Sequence, residues 1–192
     1  PWFAFVGFAA ALLCTVIAVG IVLAVAGVGE DDDSPAVTGV ATLMQGVFFV
    51  GVALVLARSV ASPRPWHFGL RRGPLWRTAG WAALGMLAFY VTAAVYATIV
   101  DPQAEQDVTD SLGADESTLA LIAAGIVVIV VGPVAEEFFF RGFFYRALRT
   151  RPGVLFAATI DGIVFGLIHF TGSDTLELLP VLGVLGFMFC LV

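Results

Sequence analysis

Apolar runs of membrane-crossing length follow one another along this chain, and they leave little choice of fold. A helix that crosses a bilayer needs about 20 consecutive apolar residues. Such runs stand at about 2–28, 37–57, 78–99, 119–140 and 153–170, and a further one begins at about 180. In lipid every backbone polar group must find its partner within the structure, so runs of this kind are helices. The spacing predicts an all-α polytopic transmembrane helix bundle, with five complete spans and the start of a sixth. Composition agrees: 60% of the residues are hydrophobic and 12% charged, with mean hydropathy +1.00. A soluble domain is about half apolar and a quarter charged. The run at 2–28 is too long for a signal-peptide core and lacks a basic flank, so it reads as a span. Because the sequence opens on Pro1 rather than Met and its sixth run stops at Val192, it is expected to be a piece of a longer protein.

The linkers alternate in charge. Glu30, Asp31, Asp32 and Asp33 form the first; Arg58, Arg64, Arg71, Arg72 and Arg77 mark the second. The third, Asp101 to Glu116, has six acids and no base. Arg146, Arg149 and Arg151 mark the fourth, and Asp174 and Glu177 the fifth. Basic linkers stay in the cytoplasm, which places the amino terminus there too, in a multi-pass protein expected in a bacterial cell membrane. Trp2, Trp66, Trp76 and Trp81 lie near predicted span ends, where interfacial anchors belong. All nine basic residues are Arg. No basic patch with interleaved aromatics is present, so a nucleic acid is not an expected partner; the lipid bilayer is. Cys14 and Cys190 sit in apolar runs and read as small core residues rather than a disulfide. The chain divides into three amino-terminal spans, residues 1–118, and a membrane core, residues 119–192.

The membrane core holds the chemistry. Glu136 and Glu137 interrupt the run from Val127 to Arg141, and Phe165-Gly-Leu-Ile-His169 lies in the next run. Ionisable groups at bilayer depth are costly and read as functional by default. The stretch 119–149 is expected as one helix, turned at Pro152-Gly153 into the next. Glu137 lies 15 residues before Pro152 and His169 lies 17 after it. At ~1.5 Å per residue both stand roughly 22–26 Å from the shared turn, so an antiparallel hairpin brings the acids and the imidazole to one depth.

On an α-helix Glu137 and Arg141, four apart, face each other, while Glu136 points about 100° away. That division pairs Glu137 with Arg141 and leaves Glu136 as general base toward water. A low-dielectric site favours the neutral carboxyl, which suits that task. His169 can orient the same water, bind a metal or stabilise developing charge. Pro133 removes a helical hydrogen bond one turn before the acids and predicts a bend there. The plainer alternatives are a self-neutralising Glu–Arg pair and a histidine that only hydrogen-bonds between helices. One arginine, however, does not neutralise two adjacent glutamates. Asp161 reads as a structural ion-pair partner of Arg141 or Arg146. A non-catalytic scaffold or immunity protein, or a transporter carrying protons on Glu136, Glu137 and Asp161, are the rival functions; internal symmetry expected of many transporters is not seen.

Glu136-Glu137-Phe138-Phe139-Phe140-Arg141 resembles the EExxxR motif, and Phe165-Gly166-Leu167-Ile168-His169 the FxxxH motif, of the CPBP intramembrane proteases. That family includes CAAX prenyl endopeptidases and bacteriocin-processing or immunity relatives. The resemblance covers about residues 119–192 and implies an all-α membrane fold with a cavity that admits a peptide or protein substrate. It implies hydrolysis of a peptide bond of a membrane-associated protein, with Glu136 and His169 activating water and Glu137 and Arg141 supporting them. The family's metalloprotease label makes Glu136 and His169 candidate ligands of zinc or another divalent metal. A further HxxxN-type motif of the family has no counterpart here, and this stretch alone is expected to be inactive.

Overall fold

The computed structural model describes residues 2–28, 34–71, 73–100, 122–123, 125–150, 153–170, 172 and 175–192. The acidic linkers at 30–33 and 101–116, together with Arg72, Arg151, Pro152 and Asp174, lie outside them. Among the described residues every regular element is helical, as expected of an all-α membrane bundle. Three helices are long and apolar enough to cross a membrane: α1 (Trp2–Ala26), α2 (Pro35–Val60) and α3 (Leu75–Val100). Later come α4 (Gly132–Glu137), α5 (Tyr145–Leu148), α6 (Val154–Leu167) and α7 (Leu179–Leu191). The last two are shorter and equally apolar. Large side chains such as Leu13, Val16, Val55, Leu87 and Val95 stand exposed along α1, α2 and α3. In water that surface would be a liability; around a membrane helix it is the face that meets lipid.

The chain forms two units. One contains Trp2–Arg64 and Gln106–Phe139. In it α1 packs on α2, and α2 on α4. The buried residues of α1 are Ala4, Gly7 and Ala11, small side chains at a spacing that lets membrane helices approach closely. A Cβ built on Gly46 would lie 3.2 Å from the Ala135 Cβ, and one on Gly132 3.1 Å from the Thr42 Cγ2, so α2 and α4 meet through small residues too. Beyond them Phe139 stacks on Phe49, with ring centroids 4.5 Å apart and planes 19° apart.

The other unit contains Pro65–Glu105 and Phe140–Val192. Its centre is the antiparallel pair α6 and α7. A Cβ on Gly162 would fall 2.5 Å from the Gly183 carbonyl oxygen, and one on Gly166 2.7 Å from that of Leu179. Backbone meets backbone there, and only glycine permits it. α3 runs antiparallel to α7: the Tyr96 hydroxyl donates to the Glu177 carbonyl at 2.7 Å, and Gly85 lies against Val192. A 3₁₀ turn, Pro65–Phe68, covers Gly142, where an added Cβ would lie 3.1 Å from the Phe68 carbonyl oxygen.

Candidate active site

The two glutamates stand on a helical stretch that changes its winding twice. Val127–Val131 is π-helical, α4 is α-helical, and Phe138–Phe144 is π-helical again. The first π turn has a cause in the sequence. Pro133 has no N–H, and its ring clashes with the carbonyl four residues back, that of Ile129. The turn widens instead, and the Gly132 N–H bonds to the Val127 carbonyl, five residues back. The bend expected at Pro133 is thus a π turn, a feature frequent at functional sites. The second π stretch also replaces the regular α-helix assumed between Glu137 and Arg141.

Gly132, Ala135 and Phe139 form the buried side of this stretch, at i, i+3 and i+7. Glu136 is one step of about 100° from Ala135 and is half-buried; Glu137 is a further step round and is exposed. Packing of α2 against the glycine–alanine side therefore turns both carboxylates away from the apolar contact.

Arg141, Asp161 and His169 lie in the second unit. Asp161 is fully buried. Its Oδ2 is 3.8 Å from Arg141 Nε and accepts the Cys190 thiol at 3.2 Å. Of the two partners weighed for Asp161 from sequence, Arg141 is the one it meets. Arg141 Nη2 also donates to the Gly186 carbonyl at 3.1 Å. Its Cζ lies 4.4 Å from the Phe165 ring centroid, 5.3 Å from that of Phe189 and 5.9 Å from that of Phe140. The guanidinium is thus held by one carboxylate, one carbonyl and three aromatic faces. Such contacts are strongest where water is excluded.

α6 stops at Leu167, two residues short of His169. His169 caps the helix end. Its N–H bonds to the Gly166 carbonyl at 3.1 Å, and its ring Nδ1 lies 2.7 Å from the Phe165 carbonyl oxygen. The last carbonyls of a helix have no partner in the helix, and this one finds the imidazole. A carbonyl only accepts, so Nδ1 carries the proton. In the neutral ring Nε2 then keeps its lone pair, free to accept from water or to bind a cation. The Phe165 ring, 4.8 Å from the His169 ring, touches both imidazole and guanidinium. Phe165 therefore joins the arginine of one motif to the histidine of the other.

Residues 118–192 match the family model of type II CAAX prenyl endopeptidases, Rce1-like. The carboxy-terminal segment is similar to that family. Both motifs lie within it, and the match is consistent with the CPBP resemblance. It spans less than half of the chain; α1, α2 and α3 precede it. No curated protein and no solved structure matches.

Among the described residues no three His, Cys, Asp or Glu side chains gather as a metal site would need. A catalytic zinc takes three protein ligands, of which Glu136 and His169 would supply two. An apolar groove of about 410 Å³ lies between Thr159, Ile163 and Leu167 of α6 and Leu179, Gly183 and Phe187 of α7. None of the motif side chains lines it. Two contributors escaped the sequence reading. Phe165 was recognisable only as a motif letter, although it stands four residues before His169. Cys190 read as a core residue, and its bond to Asp161 depends on how α7 folds back.

Proposed function

We propose that the chain forms part of an intramembrane endopeptidase that cleaves a peptide bond of a membrane-associated protein with an activated water. The observation that carries this reading is the His169 cap: Nδ1–H is tied to the Phe165 carbonyl, which leaves Nε2 as an acceptor. In the proposed mechanism Glu136 and His169 Nε2 each accept one O–H of the same water. Its oxygen lone pair is then aimed at the scissile carbonyl. Glu136 takes the proton as the C–O bond forms, and returns it to the departing amine as the C–N bond breaks. Arg141 carries fixed positive charge, and Phe165 passes its position on to the imidazole. Glu137 supports the arginine. A divalent metal held by Glu136 and His169 is the other form the family label allows, and it would polarise the same carbonyl. The protein is proposed to be multi-pass in a bacterial cell membrane, with its amino terminus and arginine linkers cytoplasmic.

The test is cleavage against thermal stability for three variants of the natural protein in detergent. Glu136→Gln and His169→Ala are expected to lose cleavage while folding normally. Glu137→Gln is expected to lose stability together with activity. If Glu137→Gln is dead and fully stable while Glu136→Gln cleaves, the two roles are reversed. Normal cleavage by all three variants overturns the protease reading in favour of a scaffold.

A further inference from the structure

Three arginines converge at one end of the unit built from Pro65–Glu105 and Phe140–Val192. Arg146 lies in α5, Arg149 directly follows that helix, and Arg71 follows the 3₁₀ turn. The turn is pressed onto Arg146. Gly69 has φ +82°, and a Cβ there would lie 2.6 Å from Arg146 Nη2. Only glycine takes that backbone angle without strain and leaves the guanidinium its place. Arg146 Nε is buried, with no hydrogen-bond partner among the described residues. Burial, then the charges of Arg71 and Arg149, push the Arg146 guanidinium down from its ordinary value; only Tyr145 acts the other way. No carboxylate figures among these influences.

The described acids of this unit are elsewhere. Asp161 faces Arg141 and Cys190. Glu177 meets Tyr96, 21 residues beyond the start of α3, roughly 30 Å along that helix. Among the described residues of this unit, the three like charges thus share one corner with no carboxylate beside them. Trp66 in the 3₁₀ turn and Trp76 in the first turn of α3 stand exposed, and Arg77 lies 5.9 Å over the Trp76 ring. Exposed indoles of this kind mark the headgroup level of a bilayer. Guanidinium groups fit phosphate oxygens in two-pronged fashion.

We propose that Arg71, Arg146 and Arg149 form a binding site for a phosphate-bearing anion, filled by the headgroup of an anionic phospholipid. The site is independent of the proposed protease chemistry. Arg71 and Arg149 are exposed and reach the headgroup from its sides, while Arg146 forms the floor against Gly69.

Binding is measured on the natural protein in detergent micelles doped with phosphatidylglycerol or with phosphatidylcholine, and separately with inorganic phosphate against chloride at equal ionic strength. Phosphatidylglycerol is expected to bind more tightly than phosphatidylcholine. Each arginine replaced by glutamine should weaken that binding about fivefold, the factor for about 1 kcal/mol per basic residue near an anionic surface. Arg77→Gln, outside the cluster, should weaken it less than any of the three. Should Arg146→Gln fail to fold, the exposed pair Arg71→Gln/Arg149→Gln decides the matter. Inorganic phosphate binding that the pair abolishes, with no preference between the lipids, keeps the anion site and overturns the lipid as its occupant. A phosphatidylglycerol preference that survives in the double variant, or falls equally with Arg77→Gln, overturns the site.

Discussion

The acidic and the basic side chains of the two motifs are held in different ways. Glu136, half-buried, and Glu137, exposed, stand beside a packed helix side that is small and apolar: Gly132 and Ala135 against α2. Arg141 and His169 are enclosed, the first by Asp161, Gly186 and three phenylalanines, the second by its own helix end. In the proposed enzyme Glu136 and His169 act on the water, while Arg141, with Glu137 in support, holds the frame. The difference predicts that changes at Glu136 and His169 register in activity and changes around Arg141 register in stability.

The largest effect is expected at Glu136. A placed general base contributes about 10²–10⁴-fold, so Glu136→Gln should lower cleavage by that factor, roughly 2.7–5.4 kcal/mol of barrier. Its unfolding temperature should stay close to that of the natural protein, because glutamine keeps the size of the side chain and removes only its charge. A large fall in melting temperature would remove the contrast between the motifs.

Asp161→Ala should act the other way. It strips a buried guanidinium of the carboxylate at 3.8 Å, and breaking a buried pair costs about 3–5 kcal/mol. Loss of fold should precede loss of chemistry in a denaturation series. If Asp161→Ala melts normally, the enclosure of Arg141 does not depend on that pair.

How much of this was legible follows from which interactions are local. The three long spans were plain, since each is an apolar run and little else. Depth counting also worked where it can be checked: Arg141 is 11 residues before Pro152 and Asp161 nine after it, and the two meet. The winding between Glu137 and Arg141 was not legible, because a π stretch reflects packing as well as composition. The end of α6 was missed because Leu167, Ile168 and His169 continue an apolar run; the stop is made by the imidazole turning back to Phe165. The α6–α7 contact did leave a signal in Gly162 and Gly166, four apart.

That contact gives the next prediction. In Gly162→Ala the new Cβ meets the Gly183 carbonyl oxygen at 2.5 Å and the Phe187 nitrogen at 2.8 Å. Both are backbone atoms and cannot rotate aside. A loss of about 1–3 kcal/mol is expected from such overpacking. Gly51→Ala in α2 is the control from the other unit. Nothing lies within 4 Å of its added Cβ, and alanine is the better helix former by about 1 kcal/mol. The two substitutions should shift the melting temperature in opposite directions. Equal shifts would mean that the glycines of α6 are no more tightly packed than those of α2.

The smallest of the expected losses of stability around Arg141, and the sharpest test of the comparison, is at Phe165. Phe165→Leu keeps an apolar side chain but removes the ring that touches Arg141 at 4.4 Å and His169 at 4.8 Å. A cation–π contact is worth about 0.5–2 kcal/mol, and the guanidinium keeps its contacts with Phe140 and Phe189. The His169 cap also survives, since its acceptor is the backbone carbonyl of residue 165. The loss of stability should therefore be about 1 kcal/mol or less. Cleavage should fall by more than that loss accounts for, because the imidazole ring is no longer braced against the arginine. Measured together, melting temperature and turnover separate the possibilities. A Phe165→Leu variant as unstable as Asp161→Ala would make Phe165 a core packing residue with no bridging role. A variant that melts and cleaves like the natural protein would show that the two motifs do not communicate through this ring.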